Sequence, residues 1–308
     1  NVLLLFICFL AFWLYLRAQR SQSSVRSRYS SERKNIHFTG PIRYALWILS
    51  LTFSVYVMSI IISVFLAAFT KHLGANYTIT LDYFHMLPQR NINSIINTII
   101  FAISTAITMS FLGVVVAYLV TRIKFKGRGI LEFVMTLPFA VPGTFMGVGY
   151  VIAFNQYPLI LTGTWVIVFM LILIRELPLG FRAGVSVLEQ QDRGIEDASV
   201  NLGASKITTF FRIILPMARS SLFVSSLYAF VSTVQTVGAI IFVITPGTKL
   251  LSVDVFEAIL KGEVGIAAAE SVTMLLLSAI GMLAIYLISQ REATALWIRK
   301  IMAQTRST

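Results

Sequence analysis

Glu196, Asp197, Gly203, Ser205 and Pro216 punctuate a polar stretch, Glu196 to Pro216, set between two long apolar runs. Adjacent carboxylates among small residues suit recognition of a partner surface rather than bond-making. Ala198, Ser199, Gly203 and Ala204 permit close approach, and the acidic cluster gives that approach a charge register. The other reactive types are badly placed for chemistry. His37, His72 and His85 are scattered without metal-ligand spacing. Cys8 is the one cysteine, so neither a disulfide within the chain nor a cysteine metal site follows. There is no Walker A glycine-lysine loop, and the few carboxylates flank apolar runs without forming an acid–base constellation. No catalytic residue, bound cofactor or metal is therefore expected in this chain.

The stretch has internal order that would position its polar residues. Val185, Leu188, Ile195 and Leu202 recur at near-heptad spacing, which predicts an amphipathic helix. Gly203 can take the left-handed conformation that ends a helix, and Ser205 suits the N-cap of the next. Ile207, Phe210, Phe211 and Ile214 then fall at i, i+3, i+4 and i+7, with Thr208 and Arg212 pointing away. Leu215 precedes Pro216, where a kink or restart is expected. The prediction is helix, glycine turn, helix across the end of a bundle. A loop that packs only on its own bundle would read the same way.

That bundle is membranous. Hydrophobic residues make up 57% and charged residues only 12%, with mean hydropathy +0.82, whereas soluble domains are about a quarter charged. The apolar runs are helix-length, so an all-α integral membrane fold follows. Six spans are predicted: Tyr44 to Thr70, Ile95 to Val120, Ile130 to Phe154, Leu159 to Ile174, Ser220 to Ile244 and Val272 to Ser289. The third is interrupted by Pro138, Pro142 and Gly143. Residues 1–16 would cover about 24 Å, short of a core about 30 Å thick, and read as the tail of a transmembrane helix from a preceding half. Residues 17–43 form a basic, Ser-rich linker able to lie on anionic lipid headgroups. A coupling loop at 175–219 lies within a six-span domain at 44–290, and 291–308 is a tail.

The net charge of +12 belongs to this topology rather than to nucleic acid. With the linker placed inside and the spans alternating, all of the 25 Lys and Arg except Lys71, Arg90, Lys249 and Lys261 fall inside. The linker, the 175–219 loop and the C-terminus are thus expected in the cytoplasm. Val253, Phe256, Ile259 and Leu260 predict a short helix on the outer side. No ionisable residue falls near the middle of a predicted span, and Arg175 and Glu176 fall at a helix end. This disfavours a proton-coupled carrier.

Glu196-Asp197-Ala198, Gly203 and Ile213-Ile214-Leu215-Pro216 resemble the EAA loop of permease subunits of bacterial ABC importers, with Asp197 departing from the usual alanine. Leu137 to Asn155 and Val237 to Val272 resemble the branch for ferric iron, aminoethylphosphonate and thiamine. The resemblance implies a six-helix importer permease of the inner membrane, the second half of a fused pair. It implies an ABC ATPase dimer carrying ATP and Mg as partner, a soluble solute-binding protein, and contact with the ATPase through Glu196, Ala198, Gly203 and Ala204. Asp197, Ser205, Leu215 and Pro216 complete the coupling element. Pro142, Gly143, Tyr150 and Asn155 are expected on the translocation path, with ferric iron as solute. A scaffold or receptor that transports nothing is the rival reading.

Overall fold

The computed structural model describes residues 41–305, with side chains through 290 except that of residue 42. The predicted partial helix 1–16 and most of the linker lie outside the described residues. Helix α1 spans Pro41–Phe69, and a small hairpin of β1 (Thr70–His72) and antiparallel β2 (Asn76–Ile79) follows. Next come α2 (Asp82–Arg122), α3 (Arg128–Ala140), α4 (Gly143–Phe154) and α5 (Trp165–Glu189). Short α6 (Gly194–Asn201) and α7 (Lys206–Met217) lead into α8 (Arg219–Gln235), α9 (Leu251–Leu260) and α10 (Val264–Thr305).

Three of these helices are long and apolar enough to cross a bilayer alone: α1, α2 and the portion of α10 through Gln290. Counting the bent pairs α3–α4 and α7–α8 as one span each raises this to five. Helix α5, 25 residues long, is not counted among them; it carries Arg175 and Glu176 within it. Up to five spans are thus present by length and composition among the described residues, against the six expected, and several differ from their predicted form.

The third predicted span is two helices bent by 112°. Its break is at Val141–Pro142, not at Pro138, which sits in the last turn of α3. Val141 is extended, as a residue before proline prefers, and the Pro142 carbonyl accepts from the amides of Phe145 and Met146 to start α4. The fourth predicted span stops too early. Residues 175–189 are the second half of α5, so Val185 and Leu188 belong to that helix and not to an amphipathic loop helix. The fifth predicted span stops too late. Helix α8 ends at Gln235, and Ala239, Ile240 and Val243 turn into the core beneath α4. Such non-helical backbone at membrane depth is tolerated where protein buries it. Ser252 Oγ satisfies the Thr236 carbonyl at 2.6 Å.

Helices α2 and α5 form the spine, and small residues let them meet. A Cβ on Gly113 would lie 2.5 Å from the carbonyl carbon of Gly180, and one on Gly184 would lie 2.7 Å from the Ala117 Cβ. Close backbone approach of this kind supplies the dispersion that holds helices together in lipid. Gly113→Ala meets backbone rather than a movable side chain. It is expected to destabilise the bundle by about 1–3 kcal/mol or more, visible as a lowered melting temperature and a broadened size-exclusion profile in detergent.

Candidate functional site at the loop end of the bundle

The stretch between α5 and α8 folds as helix, glycine turn, helix. Asp192 Oδ1 accepts from the Gly194 amide at 2.9 Å, giving α6 its start. Gly203, at φ +87°, ends it. The Gly203 amide donates to the Val200 carbonyl and the Ala204 amide to Ser199, the paired bonds of a Schellman cap. Ser205 then caps α7 by accepting from the Thr208 amide at 3.2 Å. Ser199 and Thr209 hydroxyls meet at 3.0 Å and tie the two short helices together.

The apolar face of α7 departs from the expected one. Phe210 and Ile214 are buried, but Ile207 and Phe211 are exposed. A π-helical turn occupies Phe210–Ile214, where the Leu215 amide reaches back to the Phe210 carbonyl. The extra residue in the turn shifts the register just before Pro216, which cannot donate to the preceding turn. A bend of 68° between α7 and α8 follows.

Three side chains lock this element to the spine. Arg122, the last residue of α2, donates through Nη2 to the carbonyls of Leu188 and Gln191 at 2.7 and 2.8 Å. Its Nε lies 3.0 Å from Glu196 Oε1, with side-chain exposures of only 5% and 16%. Arg193 reaches the opposite way, donating to the Thr121 carbonyl at 3.0 Å. Gln191 Nε2 donates to the Met217 carbonyl. Burial raises the Glu196 carboxyl above its ordinary range against the pull of Arg122 and Arg193. Glu196 thus faces the bundle, paired with Arg122.

What faces outward is mostly apolar. Ile195, Val200, Leu202, Ile207 and Phe211 are all exposed, Leu202 by 88% at the tip of the turn. Asp197, Ala198, Gly203, Ser205, Lys206, Arg212 and Pro216 are exposed among them, while Ala204 and Leu215 are half-buried. Arg122 and Arg193, which hold the element, were absent from the sequence-based set. The position of Arg122 at the very end of an apolar run was the available signal.

A second site lies in mid-bundle. The bend at Pro142, the middle of α5 and the C-terminal end of α8 border an open cavity of about 500 Å³ lined by Pro142, Gly143, Thr144, Arg175, Ser232, Gln235, Thr236, Val237 and Gly238. Pro142 and Gly143 therefore share a site. Tyr150 and Asn155 do not line it: Tyr150 packs in the core against Phe154, and Asn155 accepts from the Thr162 hydroxyl. Arg175 and Glu176 are not at a helix end as expected. They sit midway along α5, and Glu176 is buried. A second carboxylate, Glu270, is buried in α10 and accepts from Asn91 Nδ2 at 2.7 Å. The expectation of spans free of mid-helix ionisable groups is corrected accordingly. It failed because the fourth span was ended at Ile174 and the sixth begun at Val272.

In the N-terminal half of α2 polar bonds tie the helix to the segment before α9. Asn97 Nδ2 donates to the carbonyls of Gly247 and Lys249, and Thr98 Oγ1 accepts from the Leu251 amide. Asn97 and Arg122 are about 37 Å apart along the helix at its normal rise, so these bonds lie far from the Arg122 clamp. Lys249 Nζ bridges Asp254 and Glu257 at 2.6 and 2.8 Å. The Lys249 bond holds the Glu257 carboxyl below its ordinary range. Helix α9 forms where predicted, burying Leu251, Val253 and Ala258 and exposing Phe256, Ile259 and Leu260.

Comparison with known proteins bears on both sites. The chain is 36% identical over 212 residues to a ferric transport system permease protein, FbpB, of Actinobacillus pleuropneumoniae, covering 67% of this chain and 31% of that protein. It is 39% identical over 201 residues to a putative ferric transport system permease of Haemophilus influenzae, covering 64% and 32%. The chain thus spans about a third of the length of these two relatives. A sulfate transport system permease, CysT, of Salmonella typhimurium is 26% identical over 195 residues, covering 59% and 70%. Among solved structures, the fold matches a chain of a bacterial alginate ABC transporter crystallised with a periplasmic protein. That match has a TM-score of 0.67 at 18% identity and covers 81% of this chain and 94% of that one. Residues 109–294, more than half of the chain, match the family described as the binding-protein-dependent transport system inner membrane component, and the chain belongs to that family of multi-pass membrane proteins.

Proposed function

We propose that this chain is a permease half of an ATP-driven importer, working with a second permease half in the same polypeptide, and that its cargo is ferric iron handed over by a soluble binding protein. The α6–turn–α7 element docks on a partner ATPase dimer, which holds ATP and Mg. This end of the bundle faces the cytoplasm of a bacterial inner membrane, and the chain itself is not a catalyst. The observation that carries the reading is the exposed row Ile195, Val200, Leu202, Ile207 and Phe211 on an element clamped by Arg122. A water-facing apolar surface of that kind marks a protein contact. The rigid clamp lets a push on the surface reach α2 and α5. The iron assignment rests on the two ferric relatives; the sulfate relative supports an oxyanion as second reading.

The test is reconstitution of the full permease with its ATPase and binding protein in proteoliposomes, with uptake of ⁵⁵Fe followed over time. Uptake that requires ATP and the binding protein is expected. Uptake that proceeds without ATP and stops when the proton gradient is collapsed would instead identify a secondary carrier.

A further inference from the structure

The mid-bundle cavity has a charge that a bare cation would avoid. Arg175 is the one ionised group in its lining. It lies about 15 Å along α5 from Trp165 and about 21 Å from Glu189 at the normal helical rise, deep within the span. A guanidinium at such a depth is costly, and it persists where it faces a polar cavity with work to do. Among the described residues its guanidinium makes a single hydrogen bond, from Nη1 to Thr236 Oγ1 at 3.2 Å, and no ion pair within 4 Å. Glu176, its neighbour in sequence, is buried, interacts with the Ser232 hydroxyl and is near enough to attract Arg175 electrostatically, without pairing with it. It is not among the residues lining the cavity. Most of the five guanidinium N–H donors are therefore free to receive an acceptor.

The backbone opposite is shaped to keep the guanidinium there. A Cβ on Gly143 would lie 3.0 Å from Arg175 Nη1 and 3.2 Å from its Cζ, so any larger residue there would press the guanidinium aside by a few tenths of an ångström. The first amides of that 12-residue helix, at Gly143 and Thr144, precede the intrahelical ladder and border the same cavity. The cavity thus gathers a guanidinium, a helix start and the hydroxyl or amide groups of Thr144, Ser232, Gln235 and Thr236. These types match an oxyanion, to which arginine bonds bidentately. Among the described residues no group of three or more His, Cys, Asp or Glu could hold a metal ion.

We propose that this cavity is an oxyanion-binding station on the translocation path, held by Arg175, and that a ferric ion passes it with an oxyanion still coordinated. The inference rests on the importer reading above and specifies how its cargo is recognised.

The test uses the full permease with its ATPase and binding protein in proteoliposomes, in carbonate-free buffer. The probe is ⁵⁵Fe loaded with ³²P-phosphate as the sole oxyanion. Both labels are expected to enter together. Arg175→Gln is expected to cut both about tenfold or more, the scale of one lost charge-assisted bond, with Arg175→Lys retaining an intermediate rate. Gly143→Ala, which crowds the guanidinium without removing it, is expected to slow uptake in the same direction and guards against misfolding of the Gln variant. Phosphate entering without iron, in an Arg175-dependent way, would keep the station and make the oxyanion itself the cargo. Iron entering without phosphate, or at an unchanged rate in both Arg175→Gln and Gly143→Ala, would overturn the station while leaving the importer reading intact. A wild-type assembly with no ATP-dependent uptake of either label would bring down the importer reading, and the station with it.

Discussion

Leu202→Asp is expected to abolish stable association with the proposed partner ATPase while the membrane bundle remains folded. Leu202 stands at the tip of the turn, 88% exposed, so nothing in this chain loses packing when it is changed. An apolar side chain at the centre of an interface commonly contributes about 2 kcal/mol or more, and an unpaired carboxylate buried there adds a desolvation penalty. Together these predict a loss of about a hundredfold or more in affinity, read by co-purification from detergent and by ATP-dependent uptake. Substitution at Gly203 acts differently. A Cβ there meets no atom within 4 Å, so space is not the obstacle. The left-handed backbone is, costing a β-branched residue about 1–2 kcal/mol. Gly203→Val is therefore expected to weaken docking by moving Leu202 and Ile207 relative to one another. Normal association in both variants would mean that the ATPase does not dock on this surface.

Arg122→Ala is the second large effect, and it has a pH signature. The change removes two bonds to carbonyls at the end of α5 and leaves Glu196 without its closest cation. Breaking a buried pair from one side costs about 3–5 kcal/mol, so the coupling element is expected to detach from the spine. ATPase activity of the assembled complex would then continue without uptake. Burial already lifts the Glu196 carboxyl above its ordinary range, and loss of the opposing attraction lifts it further. A carboxyl with a raised folded-state pKa favours folding when protonated. The variant is thus expected to be most stable at acid pH and to weaken as pH rises through that raised value. Arg122→Ala combined with Glu196→Gln removes the buried charge and should recover part of the loss, leaving the deficit from the two carbonyl bonds. Thermal melts of the single and double variants between about pH 5 and 8, where a raised carboxyl titrates, separate the two contributions. A flat pH profile for the single variant would contradict the assigned role of Glu196.

The sequence carried the membrane class, the order of the helices and the helix–turn–helix at the loop end, because long apolar runs and glycine, serine and proline punctuation are local signals. Gly203 and Ser205 could be placed for that reason: each acts on its own backbone. The partners of Glu196 could not. Its pairing with Arg122 joins residues 74 positions apart in the chain and depends on how α2 and α5 pack. Where tertiary packing overrides local apolarity, the spans shifted. Arg175 and Glu176 looked like a helix terminus because charge usually ends a span, yet the cavity between α4, α5 and α8 lets the charge stay inside. The apolar residues after Gln235 looked like more helix, but they fill the space beneath α4. There a Cβ on Gly147 would collide with the Ala239 carbonyl. The π-turn before Pro216 likewise follows from proline's missing donor, but the side it exposes is decided only by the full register.

Disulfide trapping at Leu202 addresses the central claim most directly. With Cys8, the one cysteine of this chain, and any cysteine of the second half replaced by Ser, Leu202→Cys in the full permease is paired with single cysteines on the surface of the ATPase in inside-out membrane vesicles. A cross-link that forms in the assembled transporter, and whose yield changes when ATP binds, is the result expected of an element that carries motion from the ATPase into the bundle. Labelling of Leu202→Cys only from the outer face, with no cross-link to the ATPase under any nucleotide condition, would contradict it.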